Sequence, residues 1–600
     1  MKTLYIDAEK KPGTEEDAQD FGPVDFGLRN KERLNIGIGK LAPYAVQGAH
    51  RLILSGNSMQ WDDFFISTLS GAAEALYASG FDCLSIGGRA SSPQVLKIWD
   101  GKLEFHSLED VEKIFEGYSG KKGLVALEQH VYDKFRPEGN FRILAVGPAS
   151  FSTSFGVIGS TVIRNGKFVE GVISFAGRGG FGSLMAQKHN IAAILIGGTR
   201  GDVWKNSADK VNEVIAKVAG KPAVQAISSA TGKYRYDDAL KSGGTFGVNL
   251  TSLKTWTLSF NWQSIYFTED ERKQIYDTMV AGHYLQQFND EIIKPKKFMN
   301  CGEKCVAVCK KVYNAHKKDY EPYEAAGCNC GVFDQRAAEI LLSEIDSLGF
   351  DAIEAGTIIS LVMELLSSGT KKPEEYGLSS APKWDFRNFD LVNDSMHNAK
   401  LGIEIANMML RDDRFSKGIR AAAKSLDATN RALYTPHGKG GISPNQYWLP
   451  AFFLPLPIQG KFLSDYHTEF KEPFELGKSC ADRTIKELYC DNTGFCRFHR
   501  GWSEKAMEAL VKELTGISID YYAHHKELAS RIWEASKANG TFWESERVVD
   551  VVSTYLEKLY AADSSDKALE KWVGLFRADK WNAAKQYWEE ARKGFDSMFA

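Results

Sequence analysis

The chain has 600 residues, of which 43% are hydrophobic and 25% charged, and its formal net charge is −3. This length is too great for one hydrophobic core and predicts two to four domains. The near-neutral charge gives no electrostatic reason to expect nucleic acid or an anionic membrane surface as a partner. No apolar run has the length of a signal peptide or a membrane span, so we expect a cytoplasmic protein.

The first 220 residues alternate short apolar runs with glycine-rich turns, which is typical of β-strands. The strand-like runs begin at Leu34, Arg51, Cys83, Val95, Phe141, Val157 and Ile191. One short helix is predicted over 71–80, with a glycine stop, and a charged helix over about 206–220. The sequence therefore predicts a β-rich domain over residues 1–222.

Helical patterns dominate from about residue 268 onward. Apolar residues recur there at every third or fourth position, as in 336–345, 358–366 and 399–410, which predicts amphipathic or buried helices. The preceding glycine-rich stretch, 226–265, is predicted to be irregular.

A proline-rich apolar stretch, 447–460, interrupts the helical pattern. Its prolines forbid a continuous helix, so a buried irregular segment is expected there. The predicted fold class is α+β. The β-rich domain 1–222 is followed by two mainly α-helical domains, 223–415 and 416–600.

Cysteines cluster in the middle of the chain, where five of the nine lie between positions 301 and 330. Clustered cysteines in a cytosolic protein are more often metal ligands than disulfides. Cys301, Cys305 and Cys309 are four residues apart and would share one face if they were helical. Together with Cys496 they could bind a [4Fe–4S] cluster. Buried apolar packing and a zinc site are the alternatives.

A glycine-rich turn, Ala176-Gly-Arg-Gly-Gly180, precedes a helical run. Such a turn can present backbone N–H groups to an anion, and Arg178 could add a bidentate phosphate contact. The glycine spacing fits the dinucleotide-binding fingerprint poorly.

Two further motifs carry carboxylates. The segment from Tyr320 to Glu324 interleaves two glutamates with tyrosines and could supply a general acid or base, although packing tyrosines beside surface glutamates are the alternative. The pattern Asp-x-x-Gly-Phe occurs twice, at Asp346 and at Asp491. This echo suggests two similar loops that face a ligand of approximate two-fold symmetry, unless the match is a coincidence.

Together with the early element Gly48-Ala-His-Arg51, these motifs resemble the tungsten-containing aldehyde:ferredoxin oxidoreductase family. The resemblance extends along most of the chain. The branch that looks closest contains glyceraldehyde-3-phosphate:ferredoxin oxidoreductase and the catalytic subunit of class II benzoyl-CoA reductase. It rests on Cys301-Gly-Glu-Lys-Cys305, Gly243-Gly-Thr-Phe-Gly247 and Cys496-Arg-Phe-His-Arg-Gly-Trp502.

The resemblance implies a bis-metallopterin that carries tungsten or molybdenum, a nearby [4Fe–4S] cluster, and Mg²⁺ between the pterin phosphates. The implied cluster ligands are Cys301, Cys305, Cys309 and Cys496. The implied pterin-binding residues are Arg51, Ala176, Gly177, Arg178, Gly179, Gly180, Asp346, Gly349, Asp351, Asp491 and Gly494. Glu324 matches the active-site glutamate near the metal, with Tyr323 beside it.

Two departures from the family pattern affect the active site. The aldehyde oxidoreductases carry an active-site histidine before the second Asp-x-x-Gly loop, whereas 447–453 contains none and His437 cannot be equated with it. Cys328 is a candidate tungsten ligand, as in benzoyl-CoA reductases, and Cys330 is a second candidate. Two buried thiols beside the site are the alternative.

The leading hypothesis is oxidation of an aldehyde to a carboxylic acid, with Glu324 as the base. Electrons would leave through the cluster to a ferredoxin or a ferredoxin-like iron–sulfur subunit, within a homo- or hetero-oligomer. Lys233 and Arg235 are candidate contacts for a substrate phosphate. Reduction of an aryl-CoA ester is the second hypothesis. A non-catalytic cluster protein is the third, and the absence of a basic, aromatic-interleaved patch argues against its nucleic-acid form.

Overall fold

The computed structural model describes residues 1–200, 207–444 and 470–600. The predicted irregular segment 447–460, and with it the region searched for a histidine, lies outside these ranges. The N-terminal part forms two six-stranded sheets. The first sheet contains β1 (Lys2–Asp7), β2 (Gly13–Asp17), β3 (Leu34–Gly37), β4 (Leu52–Asn57), β5 (Phe64–Leu69) and β6 (Cys83–Gly87). The second contains β7 (Gln94–Trp99), β8 (Lys102–Ser107), β9 (Asn140–Val146), β10 (Ile158–Arg164), β11 (Lys167–Ala176) and β12 (Ile191–Gly198).

The two sheets have the same topology. Their strand orders are β2-β1-β6-β3-β4-β5 and β8-β7-β12-β9-β10-β11, so each strand of the second sheet takes the place of the strand six earlier. The parallel pair β1–β6 corresponds to the parallel pair β7–β12, and the other pairs are antiparallel in both sheets. The β-rich part is therefore one unit used twice, which the sequence pattern did not indicate.

Short helices connect these strands, and the predicted strands and helices of this part are confirmed. The helices are α1 (Pro23–Arg29), α2 (Ala73–Ala78), α3 (Val111–Glu116), α4 (Gly123–Phe135), α5 (Ala149–Ser152), α6 (Phe181–Ser183) and α7 (Ala208–Ala219). A π-helical turn over Leu184–Lys188 extends α6. Every residue of β12 is buried, as a central strand covered on both faces requires.

Two helices, α8 (Ala223–Arg235) and α9 (Gly244–Leu253), occupy the stretch that was predicted to be irregular. That prediction was wrong because the glycines begin α9 instead of breaking it. Gly243 is its N-cap, and Gly244 has a φ of +70°, a conformation that glycine adopts at little cost. Phe246 and Leu250, four residues apart, are buried and fix the helix to the core.

The remainder of the described chain is mainly helical, which confirms the α+β class. A helical segment that includes π-helical turns begins with α10 (Glu269–Gln274) and continues to α11 (Leu285–Phe288). The other helices are α12 (Tyr320–Ala325), α13 (Gln335–Leu348), α14 (Ala352–Ser367), α15 (Asn393–Met409), α16 (Ile419–Ser425), α17 (Pro473–Thr493), α18 (Arg500–Thr515), α19 (Tyr521–Ser536), α20 (Glu546–Ala562), α21 (Lys567–Ala578) and α22 (Lys580–Asp596). Short strands are β13 (Phe298–Met299), β14 (Lys310–Tyr313), β15 (His316–Lys317), β16 (Thr435–His437) and β17 (Gly440–Ile442).

Within the described ranges, no helix combines the length and the apolar character that crossing a bilayer requires. The proposed domain boundary at 222/223 falls between α7 and α8, and the boundary at 415/416 precedes α16. Both boundaries stay predictions.

Candidate functional site

Both Asp-x-x-Gly motifs are helix C-termini with the same cap. Helix α13 ends at Leu348, and its cap Gly349 has a φ of +77°; helix α17 ends at Thr493, and its cap Gly494 has a φ of +69°. The next residue donates its N–H back into the last helical turn in each case, from Phe350 to the carbonyl of residue 345 and from Phe495 to that of residue 490. The repeated Asp-x-x-Gly-Phe motif therefore corresponds to a repeated left-handed helix cap, for which glycine is the favoured residue.

The first cap docks on the loop before β10. Val157 donates its N–H to the carbonyl of Gly349 at 2.9 Å, and Asp351 donates its N–H to the carbonyl of Phe155 at 2.9 Å. Gly147, at the end of β9, packs so closely on α13 that a Cβ there would lie 2.4 Å from the Leu348 oxygen. These backbone contacts fix the helix end to the second sheet, and the rings of Phe155 and Phe350 stack beside them with centroids 5.2 Å apart.

The second cap docks in the corresponding way before β4. Arg51 donates its N–H to the carbonyl of Gly494 at 3.0 Å, and Cys496 donates its N–H to the carbonyl of Gly48 at 2.7 Å. Since β4 and β10 are equivalent strands, the two motifs occupy equivalent positions on the duplicated sheets. The motif Gly48-Ala-His-Arg51 is therefore the docking loop that brings Cys496 into the site.

A cavity of about 990 Å³ lies between the two docked helix ends, the strand ends of β5 and β11, α9 and α12. Predicted site residues on its wall are Arg51, Gly177, Arg178, Cys301, Cys309, Tyr323, Asp346, Asp351 and Cys496. Predicted residues away from the wall are Ala176, Gly179, Gly180, Cys305, Glu324, Cys328, Gly349, Asp491 and Gly494. Cationic side chains on the described wall number nine against six carboxylates, so the cavity suits anionic groups.

The cysteine segment is a loop between β13 and β14, so its spacing does not produce a helical face. Cys301, Cys309 and Cys496 share the cavity wall. Burial, and to a smaller extent the neighbouring Cys301, raise the pKa of the Cys309 thiol to about 12. Among the described residues, no three His, Cys, Asp or Glu side chains converge closely enough to hold a single metal ion.

Arg51 connects the thiols to the first sheet. Its guanidinium donates to the sulfur of Cys496 at 3.1 Å and to the hydroxyl of Thr68, on β5, at 2.9 Å. Burial lowers the pKa of Arg51, but the neighbouring Cys496 and Cys301 outweigh it and the pKa is raised. Arg51 therefore stays charged beside the thiols.

Glu303 was missed in the sequence, although it lies between two candidate ligands. It is buried and accepts hydrogen bonds from the N–H of Gly48 and from the Nδ1 of His50, the latter at 3.2 Å. Burial raises its pKa, but His50 outweighs burial and the pKa is lowered. This carboxylate ties the cysteine loop to the docking loop of Arg51.

His499 was also missed. Trp502 donates its Nε1–H to Nδ1 of His499 at 2.9 Å, so the imidazole hydrogen belongs on Nε2, which lies 3.1 Å from the sulfur of Cys305. Burial lowers the pKa of His499 to about 4, so the ring is neutral. The N–H of Ala307 also faces this sulfur, at 3.4 Å. Two N–H groups thus face the Cys305 sulfur, while burial raises the pKa of its thiol.

The lysines near the cysteines differ from one another. Lys310 and Lys317 line the cavity and pair with Asp319, at 3.5 and 3.0 Å. Burial raises the pKa of Asp319, but the two lysines outweigh it and hold the pKa far below the usual range. Lys311 is fully buried and donates to backbone carbonyls, whereas Lys304 is exposed.

Arg178, in the glycine-rich turn, is engaged by the protein itself. Its Nε lies 2.8 Å from a carboxylate oxygen of Asp351, and it donates to the carbonyl of Ser443 at 2.7 Å. Burial raises the pKa of Asp351 to about 7, and Arg178 opposes this shift. The turn of the second sheet is thereby linked to Asp351, the second residue after the α13 cap.

Glu324 lies at the end of α12 and is buried next to Cys328. Neither carboxyl oxygen has a hydrogen bond of normal geometry, although the Cys328 thiol interacts with the carboxyl. Burial raises the pKa of Glu324 well above 4.5. The Cys330 thiol donates to the carbonyls of Ala325 and Gly356, at 3.3 and 3.4 Å, which favours a structural role for it.

The other predicted residues divide between the wall and its surroundings. Asp346 lines the cavity, and burial raises its pKa to about 6. Asp491 pairs with Arg497, a wall residue, at 2.7 Å. Lys233 also lies on the wall, whereas Arg235 is exposed outside it. His437 is buried 3.1 Å from Asp63 and stacks on Trp61, with ring centroids 4.1 Å apart.

Clustered thiols beside a large, mainly cationic cavity on a duplicated β base are typical of an oxidoreductase. Comparison with known families agrees with this class. Residues 24–198 match the family model for the N-terminal domain of aldehyde ferredoxin oxidoreductase, and residues 223–541 match that for its domains 2 and 3. The chain belongs to the aldehyde ferredoxin oxidoreductase family.

Individual relatives extend this result. The chain is 35% identical to the glyceraldehyde-3-phosphate:ferredoxin oxidoreductase of Pyrococcus furiosus, across 94% of this chain and 90% of that protein. It is 26% identical to a tungsten-containing aldehyde ferredoxin oxidoreductase of Pyrococcus abyssi, across 64% and 60%. A solved structure, the active-site complex BamBC of benzoyl coenzyme A reductase with 1,5-dienoyl-CoA, has a similar fold. The comparison of this chain with that structure gives a TM-score of 0.61, covers 98% of each chain and shows 13% sequence identity.

The residues present fit the groups that this family implies. Four thiols are the donor set of a [4Fe–4S] cluster. The cavity lies near the upper end, about 1,000 Å³, of the usual range for ligand pockets, as a large organic cofactor needs. Its cationic wall and the buried Nε of Arg51, which has no hydrogen-bond partner, suit phosphate groups.

Proposed function

We propose that this chain is a tungsten bis-metallopterin oxidoreductase that oxidises an aldehyde to the carboxylic acid. The main supporting observation is the docking of the α17 cap, which carries Cys496 to the cavity wall shared by Cys301 and Cys309. The tungsten-containing relatives support the metal. The Pyrococcus furiosus relative and the cationic wall support glyceraldehyde 3-phosphate as a substrate.

Different residues of the chain would bind the cluster, the two pterins and the Mg²⁺ ion. Cys301, Cys305, Cys309 and Cys496 would hold the cluster. Arg51 would lie between the cluster and a pterin, Asp346 and Asp491 would anchor the two pterins, and the turn 176–180 would hold their phosphates with Mg²⁺. When bound, the tungsten pterin supplies a two-electron acceptor, and the cluster passes the electrons on singly.

Glu324 is the proposed base. Aldehyde and water give the acid together with two protons and two electrons, so a group must accept a proton from the attacking water or hydrate. A carboxylate whose pKa is raised by burial is a stronger proton acceptor than an exposed one. Tyr323 lines the cavity next to Glu324 and would shape the substrate space. Electrons would leave to a ferredoxin or to an iron–sulfur partner subunit.

The variant Glu324→Gln tests this role. It retains the size and polarity of the side chain but cannot accept the proton, so we expect kcat to fall by at least about a hundredfold while tungsten and iron contents stay unchanged. Glu321→Gln changes the second glutamate of the same helix, which lies on the cavity wall, and it should retain activity if Glu324 is the base. Normal turnover by Glu324→Gln would remove this residue from the mechanism.

A second candidate function is reduction of an aryl-CoA ester. It was suggested by Cys328, the candidate protein ligand to tungsten. The contact between Cys328 and Glu324 favours it, because a thiol at that place could serve as a protein ligand to the metal. X-ray absorption at the tungsten edge of wild type and Cys328→Ser distinguishes the two functions. An identical sulfur count in both proteins would eliminate the ligand role.

A further inference from the structure

One buried carboxylate holds three arginines of the cavity wall. Glu487, on α17, has an exposure of 3%. Its Oε1 contacts Nη2 of Arg483 and lies 3.5 Å from Nη1 of Arg500, and its Oε2 lies 2.5 Å from Nε of Arg497. All three arginines line the large cavity, whereas Glu487 is not on its wall. Three guanidiniums that border open space therefore already converge on one oxyanion.

Arg497 is paired with carboxylates on two sides, but Arg483 is engaged less completely. Arg497 lies between the buried carboxylates of Glu487 and Asp491, the second at 2.7 Å. Arg483 shares Glu487 with its neighbours, and a second carboxylate, that of Glu504, is 3.7 Å away. The Nε of Arg483 is buried and has no hydrogen-bond partner in the described chain. A buried donor without a partner is costly, so an acceptor on a ligand would stabilise it.

Lys233 adds a positive charge to the same wall. The ring of Tyr234 stacks on that of Phe498 with centroids 3.9 Å apart, which fixes the end of α8 beside the segment that begins α18 with Arg500. Burial and the positive charge of Arg500 lower the pKa of Lys233, and Asp237 opposes them only in part. Like charges held close together repel each other, and an anion between them offsets the repulsion.

The carboxylates of this part of the wall do not balance its cations. Lys486 and Asp482 pair with each other at 2.6 Å. On the described wall formed by α17 and α18, the other carboxylate is that of Glu504, so two arginines and one lysine face it and the shared Glu487. Phosphate has three terminal oxygens and can accept hydrogen bonds from all three cations at once, whereas a carboxylate has two oxygens. The wall therefore favours a phosphate group.

We propose that Arg483, Arg500 and Lys233 form a phosphate-binding site on the cavity wall that holds the phosphate group of a phosphorylated aldehyde. Glu487 keeps the two arginines together. The inference rests on the proposed aldehyde oxidation for its substrate class. Tyr323, next to the proposed base, lines the same cavity, so a substrate held by its phosphate shares one space with the catalytic residues. A pterin phosphate has the same chemistry and is the alternative occupant that the experiments distinguish.

The kinetic test compares glyceraldehyde 3-phosphate with uncharged glyceraldehyde as substrates of the holoenzyme. Arg483→Met removes the charge and retains much of the side-chain length. We expect KM for the phosphorylated substrate to rise about tenfold with kcat within about twofold, and KM for glyceraldehyde to stay within about twofold. Lys478→Met is the matched control, because Lys478 lies on the same helix and pairs with Glu475 outside the cavity wall. The same rise in KM in the control would overturn the proposal.

Tungsten and pterin contents distinguish the two sources of phosphate. If the site binds substrate, both contents stay unchanged in Arg483→Met and Arg500→Met. If both contents fall, together with the activity toward both aldehydes, the site binds a cofactor phosphate and the substrate assignment is contradicted. Unchanged contents with equal rises in KM for both aldehydes would overturn the phosphate-binding role itself.

A binding measurement separates this site from the proposed reaction. Calorimetric titration of the holoenzyme with 3-phosphoglycerate should show weaker binding in Arg483→Met and in the milder variant Lys233→Met, with unchanged binding of glycerate. This result would support the site even if no aldehyde were oxidised, in which case only the proposed reaction would fail. Unchanged 3-phosphoglycerate affinity in both folded variants would contradict the site. An equal weakening of glycerate binding would also contradict it, because the carboxylate would then be the group recognised.

Discussion

Individual hydrogen bonds to the cysteine sulfurs would set the reduction potential of the proposed cluster. His499 presents a neutral Nε2–H to Cys305 because Trp502 occupies its other nitrogen. A hydrogen bond to a ligand sulfur stabilises the more negative, reduced state of a cluster. The spacing of the cysteines identifies Cys305 as a candidate ligand, but nothing local in the sequence distinguishes His499, since its role exists only after α18 is docked.

Replacing His499 by Phe retains a ring against Gly48 and removes the donor. We expect a lower reduction potential, by roughly 40 mV if the bond contributes about 1 kcal/mol to the one-electron step. An EPR-monitored redox titration measures it. Trp502→Phe removes the hydrogen bond that keeps the imidazole hydrogen on Nε2 but leaves the imidazole in place, so it should shift the potential less. An unchanged reduction potential in His499→Phe would disprove this role of His499.

Glu128, on α4, gives a prediction about stability. It is buried and accepts hydrogen bonds from Thr161, and burial raises its pKa from 4.5 to about 7. The folded state therefore prefers the protonated carboxyl. The stabilisation is complete below pH 4.5 and is lost as the pH rises through 7.

The neutral variant Glu128→Gln should consequently unfold at a higher temperature than wild type at pH 8. At pH 5 the two proteins should unfold at similar temperatures. The gain at pH 8 is expected to be about 1–3 kcal/mol in the free energy of unfolding. Thermal unfolding monitored by circular dichroism measures it, and an equal difference at both pH values would contradict the assignment.

At the scale of elements, the site depends on where two helices end. The caps of α13 and α17 could be predicted as a repeated motif, because a left-handed glycine has a local sequence signal. Their docking loops could not, since they share no sequence pattern. Local composition also explains why the stretch containing α9 was wrongly predicted to be irregular, because glycines at the start of a helix have the same composition as a loop.

Gly349→Ala tests the docking of α13. Alanine at this left-handed position is strained, and its Cβ would lie 2.8 Å from the backbone of Gly147. Gly516→Ala is a matched control, because Gly516 caps α18 with a φ of +75° and open space around it. We expect the control to lose about 1 kcal/mol of stability, and Gly349→Ala to lose more than this together with its bound tungsten. Equal effects of the two substitutions would argue against a docking role.

For the whole molecule, the α+β class followed from local periodicity, and so did the seven strand-like runs predicted in the N-terminal part. The duplication of the sheets did not, because equivalent strands have diverged in sequence and are related only by their pairing. Cys496 was a candidate fourth ligand in the sequence, but only the family resemblance assigned it to the same cluster as the other three cysteines, since its position depends on the docking of α17. Glu303 could not be predicted at all, because the assembled fold alone brings its partners Gly48 and His50 next to it.

The central claim is that an aldehyde delivers electrons to a cluster held by Cys301, Cys305, Cys309 and Cys496. EPR spectroscopy of the oxidised holoenzyme after addition of glyceraldehyde 3-phosphate, without any external acceptor, tests it most directly. We predict that the signal of a reduced [4Fe–4S] cluster appears in the wild type and is absent from Cys496→Ser. A cluster that dithionite reduces but that no aldehyde reduces would contradict the account.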